Sequence, residues 1–133
     1  MPVKKIDAFI DLVAQYPVLD VRSPGEYEHA HIPGALSLPL FSDEERRVVG
    51  TLYKQQSRGQ AIKAGLDYFG VKMRKMVEEV EEVMQTRKQT GKTVLVHCWR
   101  GGMRSAGVAW LLELYGFKVQ TLEGRYKAFR KWA

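Results

Sequence analysis

Among its 133 residues the chain has a single cysteine, three histidines, five prolines and no apolar run of membrane-spanning length. One cysteine rules out an internal disulfide framework and suits a reducing compartment. With no long apolar run and no secretory leader at the start, the expectation is a cytoplasmic protein without a membrane partner. His29, His31, His97 and Cys98 are the only strong metal-ligand types, and their spacing fits no common zinc pattern, so no metal is expected. Acidic residues are also in short supply: 15 Asp and Glu stand against 21 Lys and Arg, a net charge of +6. That excess points towards a polyanionic partner such as RNA, without demanding one.

The apolar fraction of 45% and charged fraction of 27% belong to an ordinary globular chain. Its length predicts one domain, residues 1–133, large enough for a real core. Short apolar runs at Val3–Ile6, Val18–Val21, Ala35–Leu38, Thr93–His97 and Lys118–Leu122 read as strands. Asp7 opens a helix with apolar positions at Phe9, Ile10, Val13 and Ala14, and Pro17 stops it. Arg22 to Tyr27 is a loop entering a helical turn, and Ile32-Pro33-Gly34 marks a further turn. Ser42 with Glu45 three residues on is the capping-box pattern, opening a charged, mostly helical stretch that runs to Lys88 with interruptions near Gly59, Gly65 and Gly70. A helix over Ala106–Leu114 and a basic one over Arg125–Trp132 complete the reading. Strands alternating with helices define an α/β domain with a mainly parallel sheet, in which ligands bind beyond the carboxyl ends of the strands.

Cys98 falls there, directly after Thr93–His97, and opens the stretch Cys98-Trp99-Arg100-Gly101-Gly102-Met103-Arg104-Ser105 ahead of a helix. A buried structural cysteine has no need of two glycines and two arginines within six residues. Glycines let loop amides turn inward and let an anion approach, while a helix N-terminus and arginines favour a thiolate. The predicted site is therefore Cys98 as nucleophile, with Trp99, Arg100, Gly101, Gly102, Met103, Arg104 and Ser105 as an anion-binding loop. Asp20, Arg22 and Glu26, in the loop after the second strand, support it: Asp20 organises the loop, and Arg22 and Glu26 pair with each other. Ser105 either bonds the sulfur or caps the helix, and Trp99 either covers a substrate or packs. Gly91-Lys92-Thr93 imitates the end of a phosphate loop. It has Thr86 where glycine is required and precedes a strand, so it reads as a turn. Glu78, Glu79, Glu81 and Glu82 read as a solvated helix face.

His-Cys, five residues, then Arg-Ser is also the signature of cysteine-dependent phosphatases. The remaining motifs point elsewhere. Asp20-Val21-Arg22-Ser23-Pro24-Gly25-Glu26-Tyr27, His31-Ile32-Pro33-Gly34-Ala35 and Leu122-Glu123-Gly124 resemble the rhodanese superfamily over the whole chain. That resemblance implies an α/β domain of about five parallel strands whose cysteine carries a persulfide or an analogue. The cysteine loop is one residue longer than in ordinary sulfurtransferases, as in the cell-cycle phosphatases of the superfamily, and leaves room for a tetrahedral oxyanion. A second departure is the helical insertion from Phe41 to Lys88. Its opening, Leu38-Pro39-Leu40-Phe41-Ser42-Asp43-Glu44-Glu45-Arg46 on to Val49-Gly50-Thr51-Leu52-Tyr53-Lys54, is similar to the N-terminal domain of the tRNA 2-selenouridine synthase family. So are the cysteine loop and the closing Gly124-Arg125-Tyr126-Lys127-Ala128-Phe129-Arg130.

This second resemblance implies a transferase that replaces the sulfur of wobble 2-thiouridine in tRNA by selenium, through a geranylated intermediate. Selenophosphate and geranyl diphosphate are its co-substrates, no cofactor is bound, and Cys98 serves the selenium step. The implied partners are tRNA and a P-loop domain, absent from this chain, that is either the lost second half or a separate protein; no DNA is implied. Arg46, Arg47, Lys54, Arg58 and Lys63 in the insertion, and Arg125, Lys127, Arg130 and Lys131 in the tail, are two candidate basic surfaces. Tyr126, Phe129 and Trp132 lie at helical spacing and favour docking of that second domain. The competing expectations are a cysteine-dependent phosphatase, a stand-alone thiosulfate-type sulfurtransferase or sulfur carrier, and a non-catalytic docking module.

Overall fold

The computed structural model describes residues 3–4, 15–87, 91–97 and 103–122. Among the described residues five strands, β1 (Val3–Lys4), β2 (Val18–Asp20), β3 (Leu36–Ser37), β4 (Thr93–His97) and β5 (Lys118–Leu122), form one sheet in the order β1-β5-β4-β2-β3. Every pairing is parallel, with Asp20 opposite both Ser37 and His97. β4 is central, and Val94, Leu95 and Val96 are fully buried, as an unbroken apolar run covered on both faces requires. The chain leaves β2 towards one edge of the sheet and β4 towards the other. The crevice between their carboxyl ends is thus a topological switch point, the usual ligand position in such sheets.

Among the described residues the helices are α1 (Pro24–His29), α2 (Asp43–Gln55), α3 (Arg58–Gly70), α4 (Met73–Thr86) and α5 (Met103–Tyr115). α5 buries Val108, Ala109, Leu111 and Leu112, and α4 buries Met76, Val77, Val80 and Met84, all within a core that takes in Leu19, Val94, Val96 and Val119 of the sheet. The insertion is thus three helices. Ser42 caps α2: its hydroxyl accepts from the Glu45 amide at 3.1 Å, and Glu45 accepts from the Ser42 amide at 2.9 Å. Ser57, whose hydroxyl accepts from the Gln60 amide, starts α3. α3 buries Ala61, Gly65 and Phe69, whereas α2 has no buried residue and lies outermost, packed on α3. A Lys72 ammonium binds the Leu40 carbonyl and the Glu45 carboxylate, tying the α3–α4 junction to the start of α2.

The expected interruption at Gly65 does not occur. Gly65 lies inside α3 because a Cβ there would stand 3.1 Å from the Phe41 ring, so its glycine serves packing instead of a break. The real breaks fall at Gln56–Ser57 and Val71–Lys72. The third strand is shorter than the expected Ala35–Leu38, and the helix expected at Ala106 starts by Met103. The helices expected from Asp7 and over Arg125–Trp132 lie outside the described residues.

Candidate functional site

Two polar groups of side chains meet at the carboxyl ends of β2 and β4. The inner one is fully buried. Asp20 ends β2, and its carboxylate accepts from the Arg22 amide at 3.0 Å, from Arg22 Nε at 3.0 and 3.2 Å, and from Arg22 Nη2 at 2.7 Å. The same Nη2 donates to the Ala30 carbonyl at the end of α1. His97, the last residue of β4, places Nε2 at 3.3 Å from Asp20 Oδ2. Burial pushes the His97 imidazole down to about 4, although the Asp20 carboxylate pulls it up; the Arg22 cation adds to the depression. His97 is therefore neutral at pH 7, and Asp20 and Arg22 form a closed ion pair with no net charge. Asp20 Oδ1 accepting the Arg22 amide is an Asx turn, which bends the chain just after β2 and brings the Arg22 guanidinium back onto the same carboxylate. The expected pair between Arg22 and Glu26 is not formed. Arg22 precedes the first turn of α1, so the helical i, i+4 spacing does not apply to it.

Glu26 belongs to the outer group. Its carboxylate accepts from Arg104 Nη1 at 2.7 Å and Nη2 at 3.4 Å, and Arg46 Nε lies 3.1 Å from it. The amide and hydroxyl of Ser23 both donate to Glu26 Oε1 at 3.0 Å. Burial alone would raise this carboxyl, but Arg104 and Ser23 outweigh it and hold it down at about 2. One carboxylate thus links α1, the first turn of α5 and, through Arg46, the helical insertion. Arg46 was expected on a basic surface and Arg104 in the anion loop, but the partnership of either with Glu26 was not readable in the sequence. The two contacts span 20 and 78 positions, and no local pattern reports them.

Of the predicted loop, Met103, Arg104 and Ser105 open α5, with Met103 exposed and Ser105 buried. Ser105 lies within the first turn of α5, not at the capping position before it. Cys98, Trp99, Arg100, Gly101 and Gly102 lie outside the described residues; they join the end of β4 to the start of α5. Asp20, Arg22, Glu26 and Arg104 therefore lie around the end of β4 and the start of α5, the two elements that flank the predicted nucleophile in the sequence.

Beside this junction a cleft of about 840 Å³ opens between α1 and α2. Glu26, His29, Arg46, Arg47, Lys54 and Arg104 supply its charged and polar walls. At one end Gly25 donates its amide to Asp43 Oδ1 at 2.9 Å, fastening α1 to the start of α2. Among the described residues no group of three or more His, Cys, Asp or Glu is placed to hold a metal ion, and no helix is long and apolar enough to cross a membrane.

A parallel sheet in this order, with its polar site at the switch point and the lone cysteine following directly on β4 in the sequence, defines a class. The chain belongs to the rhodanese-like domain family, whose profile matches residues 5–131. Within that family it is similar to tRNA 2-selenouridine synthases: 34% identical over 122 residues to that of Nitrosomonas europaea (90% of this chain, 30% of the relative). For that of Salmonella arizonae the identity is 37% (92% of this chain, 33% of the relative). The chain thus spans about a third of the length of these curated relatives. Among solved structures it matches the N-terminal domain of a putative ATP/GTP binding protein from Clostridium difficile 630, at a TM-score of 0.83 and 37% identity, over 98% of this chain and 97% of that one.

Proposed function

We propose that this rhodanese domain is the selenium-handling part of a tRNA 2-selenouridine synthase and works with a P-loop partner. Similarity to such synthases over nine-tenths of the chain, helical insertion included, carries the reading. In the exchange, the C2–S bond of a geranylated wobble 2-thiouridine breaks as a C2–Se bond forms. The geranyl chain leaves with the sulfur as a thiol. Water then cleaves the Se–P bond delivered by selenophosphate, releasing phosphate. Geranyl diphosphate supplies the geranyl group in an earlier step.

The residues of this chain supply the anion site and the thiolate. Arg104 uses two of its five donors on Glu26, which fixes the direction of its guanidinium and leaves N–H groups for a phosphoryl oxygen. The N-terminus of α5 adds a partial positive charge beside it. In that field Cys98 is held as thiolate and serves the selenium step, with Trp99, Arg100, Gly101, Gly102, Met103 and Ser105 completing the loop. His97 stays neutral and contributes no charge, so the positive potential comes from arginine and backbone.

The test is complementation. A tRNA 2-selenouridine synthase lacking its own first third is supplied with this chain, and 2-selenouridine is measured in digested tRNA. The native chain restores the nucleoside, Cys98→Ser does not, and Arg104→Ala raises the selenophosphate concentration needed about tenfold or more, as loss of a charge-assisted bidentate contact requires. Restoration by Cys98→Ser equal to the native chain, or no restoration by either, overturns the proposal.

A further inference from the structure

We infer that the cleft between α1 and α2 is the seat of the RNA phosphates that flank the target nucleotide. The inference rests on the proposed RNA substrate and adds where the RNA lies. Four permanent cations, Arg46, Arg47, Lys54 and Arg104, line the cleft against two carboxylates, Glu26 and Asp43. Glu26 already pairs with two of those cations, Arg46 and Arg104, and Asp43 keeps its charge while accepting the Gly25 amide, so the lining holds an excess of two cations over carboxylates. Arg47 pairs with Glu44, but with side chains 69% and 72% exposed that pair contributes little and gives way readily to a phosphate. The cleft therefore keeps a net positive charge, carried by Arg47 and Lys54 along α2.

Its shape suits a backbone. Arg47, Gly50, Thr51 and Lys54 recur at three- and four-residue spacing, which places them along one stripe of α2. Gly50 leaves the middle of that stripe bare, and a Cβ built there meets nothing within 4 Å. The result is a groove with cations at both ends and an open floor, in a volume within the range of small-ligand sites, about 300–1,000 Å³. The charged lining favours a polyanion over an apolar ligand. Arg104 belongs both to the cleft and to the first turn of α5, so a strand whose phosphates lie along α2 would bring its neighbouring base towards the start of α5. The outer position of α2, with no buried residue, leaves this face open to a macromolecule.

Fluorescence anisotropy with a labelled anticodon stem-loop RNA tests this at several salt concentrations. The pair Arg47→Glu with Lys54→Glu weakens binding at least about tenfold and flattens the log–log salt slope by about 1.4, as loss of two phosphate contacts predicts. The pair Lys75→Glu with Arg87→Glu, on α4 and at its end, makes the same charge change away from the cleft and weakens binding far less. Gly50→Gln fills the floor without altering charge, is compatible with the helix, and also weakens binding. Equal effects of the two charge pairs, or no effect of Gly50→Gln, overturn the cleft while leaving the RNA-substrate reading intact. Native protein that binds no RNA at all overturns both. Loss of binding to a separately made P-loop half, with RNA binding unchanged, would assign the cleft to a protein partner instead.

Discussion

Asp20 and Arg22 show how much one buried pair can carry. Both side chains are fully shielded from solvent, and Arg22 also holds the last turn of α1 through the Ala30 carbonyl. A buried pair adds little over an apolar replacement of both partners, but removing one partner strands a charge. Asp20→Ala is therefore expected to cost about 3–5 kcal/mol in urea unfolding. The double replacement Asp20→Leu with Arg22→Met should cost less than Asp20→Ala alone. If the double change is the more damaging, the ion pair is a net stabiliser and the argument fails. The sequence contained the clue, since an Asp at a strand end readily accepts the amide two residues on and turns the chain. Arg22 was expected to pair with Glu26, but the turn directs it to Asp20 instead. Long-range partners such as Glu26 and Arg104 leave no trace in spacing at all, because only the fold brings α1 and α5 together.

At the scale of elements, local chemistry was legible wherever it decided the outcome. The Ser42–Glu45 capping box starts α2 where the sequence placed it, and the apolar runs of β2, β4 and β5 became strands. What local chemistry does not encode is why a glycine is a glycine. Gly65 makes room for Phe41, Gly50 faces open space, and Gly116 turns the chain with φ of +120°. The Gly116 amide donates to the carbonyls of Leu112 and Glu113, and the Phe117 amide donates to Leu112, which ends α5 and swings Phe117 into the core. The same substitution should then act with opposite sign at two of these positions. Gly116→Ala forces a side chain into positive φ and is expected to destabilise by about 1–3 kcal/mol. Gly50→Ala, in an open helix interior, should stabilise by up to about 1 kcal/mol. Thermal unfolding of the two variants checks this, and equal shifts would refute the distinction drawn between them.

The whole molecule has one further property that follows from its site: stability that depends on pH in two stages. His97 is neutral in the fold, with its pKa near 4, against an ordinary value of 6.5. The unfolded chain therefore binds a proton that the folded chain refuses, and stability falls as pH drops from 6.5 towards 4. A shift of that size corresponds to about 3 kcal/mol. Glu26 acts in a lower window. Its folded value near 2 lies under the ordinary 4.5, so its contribution is complete above 4.5 and is lost as pH falls towards 2. The second loss coincides with release of Arg104 and Arg46 from their shared carboxylate, so α1, α5 and the insertion should loosen together. Chemical denaturation measured across pH 2 to 8 is expected to show both legs. His97→Gln should flatten the upper leg and leave the lower, while Glu26→Gln should do the reverse. A native curve level between pH 6.5 and 4.5 would mean that His97 accepts its proton in the folded protein, and that the inner group of the site carries a positive charge near neutrality after all.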